Sequence, residues 1–512
     1  MVHNGIIENS EEIKVFLESN GYKFDSDTDT EVMLNLIEYE YNISGGDLLK
    51  ALIKAQEISK GSYAIVLIEK KRPGELVICK HGSPLVLGID DSGCYAASDI
   101  YAISQYTKRF IFPENGDIIF INEKGIKEVY TSTGLKKVLE EKRYSVDDRS
   151  TDKNGYDHFM LKEIFEQPQI AHNLMDLGLE IESDKYSSEE VDNILKSISG
   201  ITFLGCGTSW HSGLIGRYLV ERLARLTANT EYASEFRYID PVIPTGNLVI
   251  SLSQSGETAD TLAANSLARS SGAKTLSILN VRNSTLERET DMQIYINAGP
   301  EIGVASTKAY TAQLVRIAQL AERLAVLRGE SVRSEELTRN LTVMSDIMNG
   351  ILSKTRILKN LAIKYSTSNN FLFLGRGLNY PSALEGALKL KEISYIHAEG
   401  YPGAEMKHGP IALIDYDFPT MAIATDKENL TKMISNIKEI KARNGRVIAI
   451  IQEGEESVKD IVDDYIEIPV VPDLIAPIVT AIPLQLFAYY ISLTRGCNVD
   501  QPRNLAKSVT VE

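Results

Sequence analysis

The sequence has 512 residues, 43% hydrophobic and 24% charged, with Lys+Arg 54 against Asp+Glu 70 and a net charge of −16. At roughly 150 residues per domain this length predicts about three soluble globular domains. The acidic balance excludes a general nucleic-acid binder and a partner of anionic membranes. Cys79, Cys94, Cys206 and Cys497 stand far apart, with no CxxC and no histidine at ligand spacing. Neither a disulfide scaffold nor a metal site is therefore expected, and a reducing cytoplasm suits the chain.

The first residues, Met1-Val-His-Asn-Gly5, have no basic n-region and no apolar h-region, so no signal peptide is expected. Residues 1–145 read as β-rich with two helices. Apolar or alternating runs at 63–68, 76–79, 85–88 and 118–121 are separated by turn residues such as Arg72-Pro-Gly74 and Asp91-Ser-Gly93. The acidic, polar stretch 144–155 reads as a linker.

Beyond it the pattern changes to strand, loop and helix in alternation, the sign of a parallel sheet. Gly200-Ile-Thr-Phe-Leu204 leads into Gly205-Cys-Gly-Thr-Ser209 and a helical pattern through Arg225. Leu248-Val-Ile-Ser251 leads into Leu252-Ser-Gln-Ser-Gly-Glu-Thr258 and another helix, and residues 274–279 form a third strand. The series then restarts. Phe373-Leu-Gly-Arg-Gly377 repeats Phe203-Leu-Gly-Cys-Gly207, and residues 420–424 and 446–451 follow as strands. Two copies of one doubly wound α/β domain are the simplest reading. The uncharged stretch 474–493 is long enough to cross a bilayer. It contains Pro477, Pro483 and Gln485 and has no flanking basic cluster, so a buried core helix starting near Pro483 is expected.

Ser253-Gln-Ser-Gly-Glu-Thr258 combines three hydroxyls, a glycine and the opening of a helix, a cradle suited to an anion. Without the lysine of a Walker A loop, a sugar phosphate fits it better than a nucleoside triphosphate. Plain helix capping by Ser255 or Thr258 would also account for these residues. In the second repeat Glu385, Lys389 and Glu392 share one helix face at i, i+4 and i+7. A solvated salt-bridge face is the ordinary meaning of such spacing. Here the helix is otherwise small and apolar, and a loop carrying His408 follows (Pro402-Gly-Ala-Glu-Met-Lys-His-Gly-Pro410). A carboxylate, an amine and a histidine beside a phosphate cradle would suit proton shuttling next to a carbonyl.

These motifs, with Glu301-Ile-Gly-Val-Ala-Ser-Thr-Lys308 and the tail Asp500-Gln-Pro-Arg-Asn-Leu-Ala-Lys-Ser-Val-Thr-Val-Glu512, resemble the family of isomerising glutamine–fructose-6-phosphate aminotransferases, or glucosamine-6-phosphate synthases. The resemblance runs from residue 2 to the C-terminus. It implies an α/β fold: two doubly wound parallel-sheet sugar-isomerase domains after an incomplete N-terminal-nucleophile (α+β) glutaminase domain. The expected divisions are the glutaminase part at 1–145, a linker and connecting helix at 146–190, sugar-isomerase domains at 191–335 and 355–499, and a catalytic tail at 500–512. The implied reaction makes glucosamine 6-phosphate from fructose 6-phosphate, with ammonia or glutamine as nitrogen source, no cofactor, and a cytoplasmic homodimer.

By motif, the resemblance assigns Ser253, Gln254, Ser255 and Thr258 to the phosphate, and Thr208, Ser209, Val304 and Ser306 to the sugar. Glu392 would move the proton between C1 and C2, Lys389 would assist, and the partner subunit's His408 would open the ring. Lys507 would form a Schiff base with the ketone, its neutral form favoured by burial near a cation such as Lys389. Asn4 and Gly5 correspond to an oxyanion-hole pair and Asp29 to the residue that holds the amine of glutamine. The family's N-terminal nucleophilic cysteine has no counterpart near Met1, as though roughly a hundred residues, less than one typical domain, preceded this point. A non-catalytic phosphosugar-binding regulator and a non-productive fragment are the alternatives. The joint presence of Glu392, His408 and Lys507 favours catalysis, since a sensor needs only the cradle. The 512-residue chain by itself is expected to release no glutamate from glutamine above a buffer blank.

Overall fold

The computed structural model describes residues 1–91, 93–98, 100–143 and 152–509. Most of the expected linker, 144–151, lies outside them. The chain divides into two compact units, one built chiefly from Met1–Asp152 and the other from Lys153–Gly256 with Asp260–Lys507.

The first unit is α+β. Its five-stranded antiparallel sheet runs in the order Val2–Ile7, Gly61–Ile68, Leu76–His81, Ile118–Asn122, Gly125–Tyr130. Leu17, Met33, Leu36 and Tyr63 bury one core against the helices, and Ile78, Leu87 and Ile119 bury another. The helices number three among the described residues, Ser10–Ser19, Asp29–Ile43 and Leu48–Ile58, where two were expected. Gly45 and Gly46 both take positive φ after Ile43, and Asp47 caps the next helix by accepting the Lys50 N–H. The glycines and this cap separate the second helix from the third.

The second unit holds two parallel five-stranded sheets. The strands of the first are Gly200–Gly205, Thr227–Tyr232, Asn247–Ser253, Lys274–Leu279 and Met292–Tyr295; those of the second are Asn370–Gly375, His397–Pro402, Thr420–Ala424, Val447–Gln452 and Asp464–Ile468. In each the spatial order is second, first, third, fourth, fifth. The central strands are buried throughout, which is why they read as continuous apolar runs. The edge strands Thr227–Tyr232 and His397–Pro402 are polar and had no such signature. In both sheets the chain reverses direction across the sheet between the first and third strands, and the crevice at their C-terminal ends is where such folds bind ligands.

The helix Ala476–Thr494 starts earlier than expected. Pro477 lies in its first turn, where a missing N–H costs nothing, and Pro483 is accommodated inside. Among the described residues it is the one helix long and apolar enough to cross a membrane, and it is buried along most of its length. Its Ser492 hydroxyl donates to the Ile393 carbonyl (2.7 Å), binding it to the helix Asn379–Ser394. That helix begins hard against the end of its strand: a Cβ on Gly375 would stand 1.9 Å from the Asn379 carbonyl oxygen. Gly375→Ala must therefore displace backbone. We expect it to cost about 1–3 kcal/mol or more, seen as a melting temperature several degrees lower by circular dichroism.

Candidate functional site

The helix Asn379–Ser394 presents Glu385, Lys389 and Glu392 on one face, but that face is not solvated. Lys389 is 0% exposed and Glu385 1%. The Lys389 ammonium lies 3.3 Å from Glu385 Oε1 and 2.7 Å from Glu392 Oε2. It also donates to Thr208 Oγ1 (3.1 Å), whose hydroxyl donates to Glu385 Oε1 (3.2 Å). His211 Nδ1 completes the cluster 2.7 Å from Glu385 Oε2. Thr208 and His211 belong to the helix Thr208–Leu223 of the first repeat, so the cluster is built by both repeats. Burial lowers the Lys389 pKa, but Glu385 and Glu392 more than offset it and hold the amine above the ordinary lysine value. Of the two carboxylates, Glu392 is the one that reaches an accessible surface, with 21% of its side chain exposed against 2% for Glu385.

The histidine that joins this cluster is His211, not His408. His408 ends the short helix Glu405–His408, is exposed, and makes no hydrogen bond or ion pair to the cluster among the described residues. Nothing in the sequence near Glu385 points to His211, which lies 174 positions away.

Ser253, Gln254 and Ser255 sit at the end of the third strand of the first sheet, at its switch point, and Thr258 immediately precedes the helix Ala259–Ser270. Gly256 takes φ +69° and donates its N–H to Ser253 Oγ (2.9 Å). A Cβ there would stand 2.1 Å from Ser284 Oγ. The second repeat differs at the corresponding turn. Asp426 accepts the backbone N–H groups of Glu428 (2.9 Å) and Asn429 (3.3 Å), supplying an anion from the chain itself.

The tail is anchored in the same unit. The Asp500 carboxylate accepts the Phe159 and Met160 N–H groups (3.0 and 2.9 Å), and the Asp500 carbonyl accepts that of Val304 (3.0 Å). Lys507 Nζ donates to Glu301 Oε2 (2.6 Å) and to the Gly303 carbonyl (2.8 Å). Its neighbour is thus an anion, contrary to the expected cation. Burial raises the Glu301 pKa, but Lys507 and the Ala309 and Thr307 N–H groups together outweigh it and hold the carboxyl below its ordinary range. Glu301 Oε1 accepts the Thr307 and Ala309 N–H groups (2.8 and 3.0 Å), with the Ser306 hydroxyl 3.5 Å away. Ser209 Oγ accepts from Gln313 Nε2 (3.2 Å). Glu301 opens a motif visible in the sequence, yet its pairing with a lysine 206 positions on was not legible.

In the first unit Asn4 and Gly5 lie on the strand Val2–Ile7, and Asp29 accepts the Ile7 N–H through Oδ2 (2.9 Å). Gly5 takes φ +143°, and a Cβ there would stand 2.0 Å from the Ser62 carbonyl oxygen.

The fold and the cluster together define a protein of two sugar-isomerase repeats sharing one buried carboxylate–amine site. The SIS domain model matches residues 194–323 and 364–495, and the glutamine amidotransferase domain model matches residues 1–105. The chain is 45% identical, over all of its length and 84% of the relative's, to the glutamine–fructose-6-phosphate aminotransferase [isomerizing] of Chlorobaculum tepidum. It is 43% identical over the same shares to that of Thermotoga maritima. The C-terminal domain of the Francisella tularensis glucosamine-fructose-6-phosphate aminotransferase superposes with a TM-score of 0.65 at 39% identity, covering 69% of this chain and 100% of that one. The chain belongs to the isomerising glutamine–fructose-6-phosphate aminotransferase family. Similarity along the whole chain favours this membership over the regulator alternative.

Lys389→Met would leave two carboxylates without their counter-charge. We expect a loss of about 3–5 kcal/mol, measured as a fall in melting temperature at neutral pH. In the unsubstituted protein the raised Lys389 pKa is stabilising at every pH below the unfolded lysine value. That contribution fades only as pH rises through the higher folded value, so it should be constant across the neutral range.

Proposed function

We propose that this chain makes glucosamine 6-phosphate from fructose 6-phosphate with ammonia as nitrogen source, and that the sugar chemistry runs in the first sugar-isomerase repeat. The observation that carries this is the docking of the Lys507 amine on buried Glu301, within the same unit as Glu392. Ser253, Gln254, Ser255 and Thr258 hold the phosphate. The turn at Asp426, already filled by its own carboxylate, supports a single phosphate site per pair of repeats. Thr208, Ser209, Val304 and Ser306 line the sugar.

Lys507 condenses with the C2 ketone, and the resulting iminium acidifies the C1 hydrogens. Ammonia then displaces the lysine at C2. Glu392, ion-paired with Lys389, takes a proton from C1 and returns it to C2, leaving an amino sugar with an aldehyde at C1. The exposed His408 suits a role across a homodimer, where the partner subunit's His408 opens the sugar ring. In the amidotransferase part, Asn4 and Gly5 correspond to the family's oxyanion pair and Asp29 to the residue that holds the amine of glutamine, the remnant of a glutaminase site. The net charge of −16 and the free cysteines among the described residues support a cytoplasmic enzyme without nucleic-acid or membrane partners.

Borohydride added with fructose 6-phosphate should trap an adduct on Lys507, found by mass spectrometry of the C-terminal peptide, and Lys507→Arg should abolish it. Glu392→Gln should keep the adduct but slow exchange of the C1 proton with solvent by about 10²–10⁴-fold. A folded protein that stabilises on adding the sugar yet gives neither adduct nor exchange would refute the assignment.

A further inference from the structure

An amine attacks a ketone through its lone pair, so the Lys507 ammonium must first hand over a proton. Glu301 Oε2 is 2.6 Å from that nitrogen. Its side chain has no solvent exposure, whereas that of Lys507 is 27% exposed. A second carboxylate stands behind it. Glu163, on the helix Phe159–Leu177 and 1% exposed, accepts the backbone N–H groups of Ile302 (2.5 Å) and Gly303 (3.1 Å) through Oε1. Its Oε2 is buried with no hydrogen-bond partner among the described residues, 2.9 Å from where a Cβ on Gly303 would stand. Residues 302–303 thus offer their N–H groups to Glu163 and the Gly303 carbonyl to Lys507.

The charged groups around this corner include Lys162, Glu163 and Glu166 from that helix, Lys308 from the helix Lys308–Leu327, Lys389 from Asn379–Ser394, and Lys507. Lys308 is 2.7 Å from Glu166. Burial and the nearby Glu301 push Glu163 up to about 7, against the pull of Lys507 and Lys308. Beside the Glu301 carboxylate in this dry corner, Glu163 binds a proton more readily than it would alone.

We infer that Glu301 is the base that takes the proton from Lys507 for imine formation, and that Glu163 is a positioning residue whose charge sets how readily Glu301 accepts it. This presupposes the Lys507 Schiff base proposed above. The Nζ–H bond breaks and the proton moves to Glu301 Oε2, leaving a neutral amine and a neutral acid. The amine lone pair forms the N–C2 bond while the C2=O2 π pair moves to O2. A second proton then passes from nitrogen to O2, giving the carbinolamine. The C2–O2 bond breaks as O2 takes the proton stored on Glu301 and departs as water, and the nitrogen lone pair closes the C=N bond. The products are the iminium cation, water and the restored Glu301 carboxylate, so no outside acid or base is consumed.

The test is the rate of adduct formation on Lys507 with fructose 6-phosphate and cyanoborohydride, followed by mass spectrometry from about pH 6 to about pH 8.5. The unsubstituted protein should slow as pH falls through about 7, where Glu163 takes up its proton and Glu301 loses its push. Glu301→Gln keeps an acceptor for the Thr307 and Ala309 N–H groups. It should trap at least about tenfold more slowly at neutral pH, with the sugar-induced rise in melting temperature preserved. Glu163→Gln should be slow at every pH and lose the step near 7, a change that a merely structural role would not produce. Trapping in folded Glu301→Gln at the unsubstituted rate and pH profile would overturn the inference and leave the Schiff base standing. If Glu301→Gln fails to fold, a step near 7 that persists in Glu163→Gln overturns it. Absence of any adduct on unsubstituted Lys507 would instead defeat the Schiff base itself, and the inference with it.

Discussion

A buried ammonium has to be neutralised where it stands, and in the second unit this requirement falls on Lys389. Its charge is balanced by Glu385 and Glu392 on its own helix, and its remaining donor capacity goes to Thr208 on the other repeat. Taking such charges out of water costs several kcal/mol per ion unless every partner is in place. The two repeats must therefore meet in one arrangement, because the hydroxyl and the imidazole that complete the cluster come from the helix Thr208–Leu223. What this secures is a carboxylate, Glu392, that is paired with an ammonium and partly exposed at the edge of the cluster.

The same economy governs the tail. A C-terminal segment with few apolar residues cannot hold itself in place by burial. It is held instead by hydrogen bonds at fixed points: the Asp500 carboxylate on two N–H groups at the start of the helix Phe159–Leu177, and the Lys507 amine on Glu301. Glu301 in turn accepts the N–H groups at the start of the helix Lys308–Leu327, where a negative charge is favoured by the helix dipole. One carboxylate thus links a helix start to a flexible-chain amine, and so delivers Lys507 to the repeat that carries the serine-rich turn.

The architecture of the second unit was legible where burial was complete. Strands such as Val447–Gln452 are apolar on both faces, and the repeat of Phe203-Leu-Gly-Cys-Gly207 at Phe373-Leu-Gly-Arg-Gly377 marks the same strand-to-helix turn in each copy. The polar edge strands were not legible, because a strand paired on one side and half exposed has no continuous apolar run to announce it. In the first unit three helices stand where two were expected, and the paired glycines Gly45 and Gly46 separate Asp29–Ile43 from Leu48–Ile58.

The spacing of Glu385, Lys389 and Glu392 follows from helix geometry alone, so the sequence by itself placed them on one face, as it placed the hydroxyls of 253–258 after a strand. Whether that face met water or the protein interior could not be read from spacing, since an exposed salt-bridge ladder has the same period. The tertiary structure decided that, and it decided the partners: His211 rather than His408 beside Glu385, and Glu301 rather than a cation beside Lys507. The reason is physical. Local periodicity is set by bonds between residues a few positions apart, whereas the charge around a buried group is set by side chains that only the packing of distant elements brings within reach.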